Sequence, residues 1–367
     1  MKIKKNTFLL SLICIGALIS SCGTDLPSSP SDKSDSTTLS AAESEEASAI
    51  PAVRAADSYL RASDIVLDLN SPGLQPSAES EVPVNSCGDL SVPTYLTKVD
   101  DTYFIVDCYH NQIIYHDNLS DPLYEWQVMT SEIDKGHTLA SDGMVYLIDD
   151  TENNRILIFE KKDGVFYHTQ TFDEIGNRPH YIIYNEATDT FYAWSSMSGE
   201  MYLFRHDPGD SRMYLTEIRR IDALSDTYVR SFTIMDDSIY FVSGIPGSPA
   251  ILEADLNTFE IRNTYSVPDT MAGMIQLTKI ENHYYITIST DSNGNQDYAT
   301  IIRTDDLSTL SAGNYEDIYK YFIGGGTPYY ITQIDNSYYL TEHRIPGHSI
   351  WRFRIANGEI MDVETIY

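Results

Sequence analysis

Apolar and polar positions alternate with a period of two along most of this chain, in short runs that polar turns separate. Residues 102–107 and 237–243 are typical, because β-branched and aromatic side chains dominate each run and Asp, Asn, Ser or Gly bounds it. Such runs predict β-strands, since a strand presents successive side chains to opposite faces, whereas a helix would show a period near 3.6. The pattern therefore predicts an all-β chain.

One unit of this pattern recurs six times: an apolar strand, a tight polar turn, an aromatic-rich strand, and a third strand after a variable loop. The doublet that marks the second strand, or its equivalent, stands at Tyr103-Phe104, Val145-Tyr146, Phe191-Tyr192, Ile239-Tyr240, Tyr284-Tyr285 and Tyr338-Tyr339. The copies are 42, 46, 48, 45 and 54 residues apart, which fits units of four short strands. We therefore predict a six-bladed β-propeller of four-stranded antiparallel blades over residues 94–367.

Two of the six copies carry a closer resemblance. Residues 103–115 and 145–159 resemble the NHL repeat, whose pattern is an apolar strand ending in Asp, then Asn and Arg, then a second apolar strand. The other four copies keep only the strand pattern. The resemblance implies the propeller fold and says little about activity, since NHL-like propellers include binding modules, scaffolds and enzymes.

The N-terminus resembles the signal peptide of a bacterial lipoprotein. A basic start with lysines at positions 2, 4 and 5 precedes an apolar stretch over 8–18, which is too short to count as a membrane-spanning helix. Residues 19–22, Ile-Ser-Ser-Cys, resemble a lipobox. This resemblance implies that 1–21 are removed and that lipidated Cys22 anchors the chain to the bacterial cell membrane, on the extracytoplasmic side. An ordinary signal peptide with an incidental cysteine is the alternative.

Two segments separate this N-terminus from the repeats. Residues 22–60 consist mostly of Ser, Thr, Asp, Glu, Ala and Pro, so they cannot bury enough apolar surface to fold, and we predict a disordered tether. Residues 61–93 are transitional. Within them, 65–69 and 81–84 could pair with a blade edge at ring closure or lie across one face, and the sequence leaves both alternatives open.

The formal net charge of the chain is −30. It becomes −33 after loss of residues 1–21, which carry three lysines and no acid. Such a charge repels nucleic acid and anionic lipid headgroups, so it excludes nucleic acid as a partner. An acidic surface also keeps exported proteins soluble, so the charge alone does not predict a cationic ligand.

Cysteine usage leaves one question open. Cys14 lies in the signal peptide and Cys22 is the lipidation site, which leaves Cys87 and Cys108 in the exported part of the chain. The compartment permits a disulfide between them, and that bridge would attach the segment before the propeller to the first blade. Alternatively, Cys108 is a buried small apolar residue at the end of a strand, since spacing alone does not establish a bridge.

The candidate site lies at the mouth of the central channel, where the innermost strands of a propeller begin. Aligning the six copies places there one side chain from each: Tyr95, His137, His180, Arg230, Gln276 and Tyr329. Such a ring predicts a pocket for a polar, acidic molecule, although water in the channel is the alternative. Loops between second and third strands rim the same face and add Asp150, Glu342 and His343 as candidate ligand-binding residues.

Two functions fit these residues. We expect a binding or scaffolding module that takes a peptide, a glycan or a partner protein at the channel mouth. The alternative is a lyase or hydrolase of a polar, carbohydrate-type substrate, in which neutral His137 and His180 act as base or ligate a metal and Arg230 stabilises negative charge. No cofactor motif is present, and 291–297 lack the sixth-position glycine and the final acid of a calcium loop, so we predict neither cofactor nor metal.

Overall fold

The computed structural model describes residues 54–55 and 83–367, apart from residue 226 and the segments 244–248, 291–296, 323–326 and 344–346. The predicted signal peptide, the lipidation of Cys22 and most of the tether lie outside the described residues. The calcium-like segment also lies outside them, except for its last position. Among the described residues, no helix combines the length and the apolar character needed to cross a bilayer.

The described residues form six sheets, one for each predicted repeat, which we number as blades one to six in chain order. A two-residue strand, β1 (Arg54–Ala55), precedes them. Blades one to three comprise β2 (Pro93–Val99), β3 (Thr102–Asp107), β4 (Gln112–His116) and β5 (Gln127–Thr130); β6 (Leu139–Ser141), β7 (Val145–Asp150), β8 (Arg155–Lys162) and β9 (Val165–Phe172); and β10 (Pro179–Asn185), β11 (Thr190–Ser195), β12 (Glu200–Arg205) and β13 (Tyr214–Arg220).

Blades four to six have the same plan. They comprise β14 (Val229–Met235), β15 (Ser238–Ser243), β16 (Ala250–Asp255) and β17 (Ile261–Ser266); β18 (Met274–Ile280), β19 (His283–Thr290), β20 (Asp297–Thr304) and β21 (Glu316–Asp317); and β22 (Thr327–Ile334), β23 (Ser337–His343), β24 (Ile350–Ala356) and β25 (Glu359–Thr365). Short 3-10 turns lie at Cys108–His110, Leu123–Glu125, Thr151–Asn153, Asp222–Leu224, Asp269–Met271, Leu307–Ala312 and Tyr319–Tyr321.

The strands of each blade follow chain order from the axis outward, and all neighbouring strands are antiparallel. The innermost strands pack on one another in sequence, and β22 packs on β2, which closes the ring. The prediction of a six-bladed propeller with four-stranded blades is confirmed. The four main strands of every blade come from one continuous stretch of the chain, and no described N-terminal strand completes the last blade.

Two N-terminal pieces pair with outer edges instead. The strand β1 adds a fifth strand to blade three, with Arg54 opposite Ile218, although it falls within the segment that composition predicted as a tether. Val84 bridges to Gln127 on the outer edge of blade one. Of the two segments that could pair, only residues 83 and 84 are described, and Val84 pairs with a blade edge.

Side-chain hydrogen bonds join each blade to the next around the axis, because each one ends on a backbone group of a neighbouring blade. The six bonds, in ring order, are Thr94 Oγ1 to His137 O (2.8 Å), Ile182 N to Thr138 Oγ1 (2.9 Å), His180 Nδ1 to Arg230 O (3.0 Å), Ser231 Oγ to Ile275 O (2.5 Å), Thr287 Oγ1 to Tyr329 O (2.6 Å) and Thr341 Oγ1 to Thr94 O (2.7 Å). Buried polar groups need such partners, and here these bonds also fix the angular position of each blade.

Apolar side chains fill the spaces between adjacent sheets. Trp194 of blade three packs against Phe241 of blade four with ring centroids 4.7 Å apart, and Phe104 of blade one lies 5.5 Å from Tyr146 of blade two. Most strand tyrosines are buried or partly buried in these interfaces. The tyrosine richness of the chain is therefore mainly a property of blade packing.

A β-bulge interrupts the pairing near the start of five innermost strands. The register shifts lie between residues 93 and 95, 179 and 181, 229 and 232, 274 and 276, and 328 and 331. A bulge bends the strand and breaks the alternation of side chains, so it re-aims the residues that it contains. The bulged residues include His180, Arg230 and Tyr329, which lie at the channel mouth.

Cys87 and Cys108 are not joined by a disulfide in the structure. Cys108 is fully buried at the end of β3, which matches the apolar alternative. Asn85 attaches this segment to blade one instead, since its Nδ2 donates to the Leu123 carbonyl at 3.0 Å and its Oδ1 accepts from Gln112 at 3.2 Å. Of the two alternatives that the sequence left open, the structure therefore has the one without a bridge, and amide hydrogen bonds attach the segment to blade one.

Candidate functional site

Two imidazoles from neighbouring blades stack on each other at the channel mouth. The rings of His137, just before β6, and His180, in β10, have centroids 3.7 Å apart and an interplanar angle of 28°. The ring of Tyr329, from blade six, lies 6.0 Å from His137 and nearly parallel to it. The structure thus brings together three predicted residues that are far apart in the chain.

Both nitrogens of His180 are engaged within the protein. Nδ1 lies 3.0 Å from the carbonyl oxygen of Arg230, and a carbonyl only accepts, so Nδ1 carries the hydrogen. Nε2 therefore holds the lone pair, which accepts a hydrogen bond from the Tyr228 hydroxyl at 3.1 Å. Sequence reasoning missed Tyr228, because it lies in the loop just before the innermost strand of its repeat.

His137 has the same tautomer, but its second nitrogen is open. Nδ1 lies 3.0 Å from Thr151 Oγ1, whose single hydrogen goes to Asp149 Oδ2 (2.9 Å) or to the Pro179 carbonyl (2.7 Å). Thr151 therefore accepts from His137, and the lone pair of the imidazole is on Nε2. Within the part of the chain that the structure describes, no group hydrogen bonds to this Nε2.

Both imidazoles are neutral at physiological pH. The pKa of His137 is lowered to about 3, mainly by burial and also by the charges of Arg178 and Arg230. Burial also lowers the pKa of His180 well below its usual value, helped by His137 and by the same two guanidinium groups. The pair therefore offers hydrogen-bonding groups rather than positive charge.

A buried carboxylate beneath His137 holds this geometry. Asp149 is fully buried and accepts from the backbone N–H groups of His137 (2.8 Å) and Thr138 (2.6 Å) and from the Thr138 hydroxyl (2.6 Å). Burial raises the pKa of Asp149 to about 7, and these hydrogen bonds offset part of that rise. Gly136 is required nearby, because a Cβ there would lie 2.8 Å from the Asp149 carbonyl oxygen.

Three tyrosines close the channel below the histidines. The ring of Tyr330 lies 5.8 Å from that of Tyr95 and 5.0 Å from that of Tyr181, so side chains from blades one, three and six meet at the axis. The Gln276 amide donates to the Ile331 carbonyl and accepts from the Ile331 N–H, so it joins blades five and six and is not available to a ligand. Tyr95 and Gln276, predicted at the mouth, follow the bulges and lie deeper.

The mouth is thus a cup, which we define by the walls His137, His180, Tyr228, Arg230 and Tyr329 above that tyrosine floor. The guanidinium of Arg230 lies over the Tyr228 ring, 4.5 Å from its centroid, and is partly exposed. These five side chains come from blades two, three, four and six.

Cations surround the cup. Arg178 and Lys135 lie at its rim, where Glu152 pairs with Arg178 at 2.6 Å and with Lys135 at 3.8 Å. Together with Arg230, both depress the pKa of His137, which shows that their charges act on the cup. The cup is therefore a locally positive region of a strongly acidic protein.

The three predicted rim residues, Asp150, Glu342 and His343, lie in different environments. Asp150 is buried and accepts hydrogen bonds from Arg155, Asn153 and the backbone of Asp134, so it holds a loop of blade two. The ring of His343 lies 6.3 Å from Tyr329, at the edge of the cup.

Glu342, the neighbour of His343, lies away from the cup. Successive residues of a strand face opposite sides, so the Glu342 carboxyl lies between blades five and six, beside Tyr319 and Trp351. The adjacent pair that the sequence predicted as one unit is therefore divided between two environments.

Two other features carry no site. An open groove of about 410 Å³ on the outer strands of blade five is lined by charges that already pair with each other, as in the 2.6 Å contact between Arg303 and Glu316. Among the described residues, no group of three or more His, Cys, Asp or Glu side chains is arranged to hold a metal ion. His137 and His180 alone would supply two nitrogens, of which one is taken by Tyr228.

Solved structures with low sequence identity to this chain share its propeller fold. A structure titled as a putative 6-phosphogluconolactonase from Bacteroides fragilis NCTC 9343 has a TM-score of 0.53 and 12% identity, over 75% of this chain and 85% of that one. A structure titled as a putative 6-phosphogluconolactonase from Bacteroides uniformis ATCC 8492 has a TM-score of 0.52 and 11% identity, over 77% of this chain and 88% of that one. A streptogramin B lyase structure has a TM-score of 0.50 and 16% identity, over 76% of this chain and 84% of that one.

No family and no curated protein matches the sequence. The resemblance to NHL repeats therefore rests on the two blades that carry it. Identities of 11–16% with the solved structures establish a shared propeller architecture, not a shared activity.

Proposed function

We propose that this protein is a ligand-binding module whose site is the cup at the channel mouth. The observation that supports this proposal is the hydrogen bonding of the stacked imidazoles: both nitrogens of His180 are bonded within the protein, and Nε2 of His137 is the one nitrogen of the pair without a partner among the described residues. Such a pair forms a rigid wall with one polar contact point, as binding sites require. The ligand classes remain those expected from sequence, a peptide, a glycan or a partner protein.

An enzyme, a lyase or hydrolase acting through His137, is the second candidate. The open Nε2 favours it, because a neutral imidazole with a free lone pair can accept a proton. Against it, a base with a pKa of about 3 has little driving force to take a proton at neutral pH. Binding without turnover is the better interpretation.

Replacing His137 by alanine is expected to weaken ligand binding at least tenfold, which corresponds to about 1.4 kcal/mol. Glycan and peptide arrays probed with the labelled domain identify ligands, and calorimetry then measures the affinity of each variant. His283→Ala is the matched control, because that imidazole lies on the outer part of blade five. Unchanged binding in both His137→Ala and Arg230→Ala would exclude the cup as the site. Turnover of a bound ligand that His137→Ala abolishes would establish the enzyme instead.

We also propose that the domain is held at the extracytoplasmic face of the bacterial membrane by lipid on Cys22. The support is the order of a basic start, an apolar stretch and Ile-Ser-Ser-Cys, followed by a polar segment suited to a tether. Cys22→Ala is expected to move the protein out of the membrane fraction and to abolish labelling with radioactive palmitate. Cys14→Ala, inside the apolar stretch, is the control. Membrane retention of Cys22→Ala would contradict lipid anchoring.

A further inference from the structure

The cup presents two complementary kinds of hydrogen-bonding group. The guanidinium groups of Arg230 and Arg178 only donate. His137 Nε2 only accepts, because the hydrogen of that imidazole is on Nδ1, facing Thr151. A ligand that satisfies both must offer an acceptor, best an anionic one, and a hydroxyl or N–H donor.

Charge favours an acid as the acceptor. Arg178, Arg230 and Lys135 all act on the cup, whereas Glu152 is the carboxylate that pairs with the rim cations. Asp149 lies beneath His137 and is enclosed by its four hydrogen bonds. Because both imidazoles are neutral, the arginines and the lysine define the attraction, and a cationic ligand would be repelled.

The shape of the cup favours a single ring. Tyr330 lies directly below the histidine pair, with its hydroxyl 3.5 Å from His180 Nδ1, so the cup is shallow. His137, His180 and Tyr329 are only 3%, 0% and 8% exposed, so little of their ring faces is accessible, whereas Tyr228 and Arg230 are partly exposed. The Tyr228 ring is therefore the aromatic surface of the cup against which the C–H face of a sugar can pack.

We propose that the ligand of the cup is an acidic sugar, whose ring carries both a carboxylate and hydroxyl groups. This inference rests on the proposed binding function and names the class of its ligand. The carboxylate lies toward Arg230 and Arg178, and a ring hydroxyl donates to His137 Nε2. Charge-assisted hydrogen bonds of guanidinium with carboxylate are among the stronger contacts available to such a ligand.

The test compares matched probes, D-glucuronic acid and D-glucose, by saturation-transfer NMR and calorimetry. We expect the uronate to bind at least ten times more tightly than the neutral sugar, and the difference to shrink as salt is added. Arg230→Gln should remove most of this preference. Arg220→Gln should keep it, because Arg220 is an exposed residue of β13 that pairs with Asp222 at 3.0 Å.

The pH dependence gives a second readout. Uronate affinity should weaken moderately as the pH rises through about 7, because Asp149 ionises beneath His137, and it should be constant from about pH 6 to pH 5, where Asp149 is protonated, the imidazoles are neutral and the uronate carboxylate is ionised. Binding that continues to strengthen below pH 6 would show that an imidazolium is needed and would overturn the proposal.

The array results separate this inference from the proposed function. If neutral glycans or peptides bind in a His137-dependent manner and uronates show no preference, the acidic sugar is wrong while the binding function stands. A preference for peptides with a terminal carboxylate over uronates would likewise overturn the sugar assignment. If nothing binds in a His137-dependent manner, both fail.

Discussion

Glu342→Gln is expected to stabilise the protein by about 3 kcal/mol at pH 8 and to leave its stability nearly unchanged below pH 4.5. The Glu342 side chain has no exposed surface, and neither carboxylate oxygen accepts a hydrogen bond of normal geometry from the described residues. Burial raises the pKa of Glu342 to about 7, and the neighbouring Tyr319 hydroxyl and Trp351 indole offset only part of this rise. An ionised carboxylate there is costly.

The direction of this pH dependence follows from the linkage between proton binding and folding. The folded state holds the Glu342 proton more tightly than the unfolded chain, in which glutamate has a pKa near its usual 4.5. The favourable contribution is therefore complete below about pH 4.5 and is lost as the pH rises through about 7. Glutamine imitates the protonated acid at every pH, so the variant does not lose this contribution.

Urea unfolding of both proteins at intervals between pH 5 and pH 8 measures the difference. Asp107 and Asp149 also have raised pKa values, but they are common to both proteins and cancel in the comparison. Glu359→Gln is the matched control, because Glu359 is exposed on the last strand of the same blade, and it should show no such trend. Equal stability of wild type and Glu342→Gln at every pH would refute a buried, costly charge at this position.

Tyr367→Ala is expected to lower the free energy of unfolding by about 3 kcal/mol, combining lost burial with lost hydrogen bonds. Tyr367 follows the last strand of blade six and reaches blade one. Its hydroxyl accepts from Trp126 Nε1 at 3.0 Å and lies 2.6 Å from the carbonyl oxygens of Leu119 and Asp121. Its ring meets the Trp126 ring edge-on, with centroids 6.0 Å apart.

This contact matters because no described strand crosses from one end of the chain to complete the other end's blade. Ring closure depends on apolar packing of blades six and one, on the bond from Thr341 to Thr94, and on Tyr367. Loss of one closing contact exposes both faces of that junction, since each blade is stabilised mainly by its neighbours.

Thermal and urea unfolding of three variants tests this account. Tyr367→Phe should lose about 1 kcal/mol, which isolates the hydroxyl. Tyr124→Ala should be close to neutral, because Tyr124 is 63% exposed on the same side of blade one. Wild-type stability in Tyr367→Ala would show that the junction does not depend on this tyrosine.

The number and composition of the blades were predictable, because each blade is a local unit. Period-two alternation and polar turns identify its first strands, and the six doublets lie in the second strands of the six observed sheets. Outer edges were predictable only in part: the sequence left open that residues 81–84 pair with a blade edge, as Val84 does, but β1 is too short to carry a pattern and its partner lies far along the chain.

The site was predictable only in part. Alignment of repeats identified His137, His180, Arg230 and Tyr329, because polar residues at the start of a buried strand stand out. It placed Tyr95 and Gln276 at the same level, since a bulge inserts a residue without any sign in the alternation.

The choice between neighbouring acids required coordinates. Asp149 supports His137 while Asp150 binds Arg155, and two adjacent aspartates give no indication from sequence of which one faces the axis. Their roles depend on partners from other strands of blade two, so spacing in the chain could not assign them.

The sequence by itself determined that this is a propeller of six blades, because alternation, turns and repeat length are encoded within each blade. Only the tertiary structure decided how the cup is built: that two imidazoles stack, that tyrosines close the axis, and that Glu342 lies apart from His343. The physical reason is that these features depend on contacts and hydrogen bonds between blades. The residues involved are far apart in the chain, so no local sequence pattern relates them.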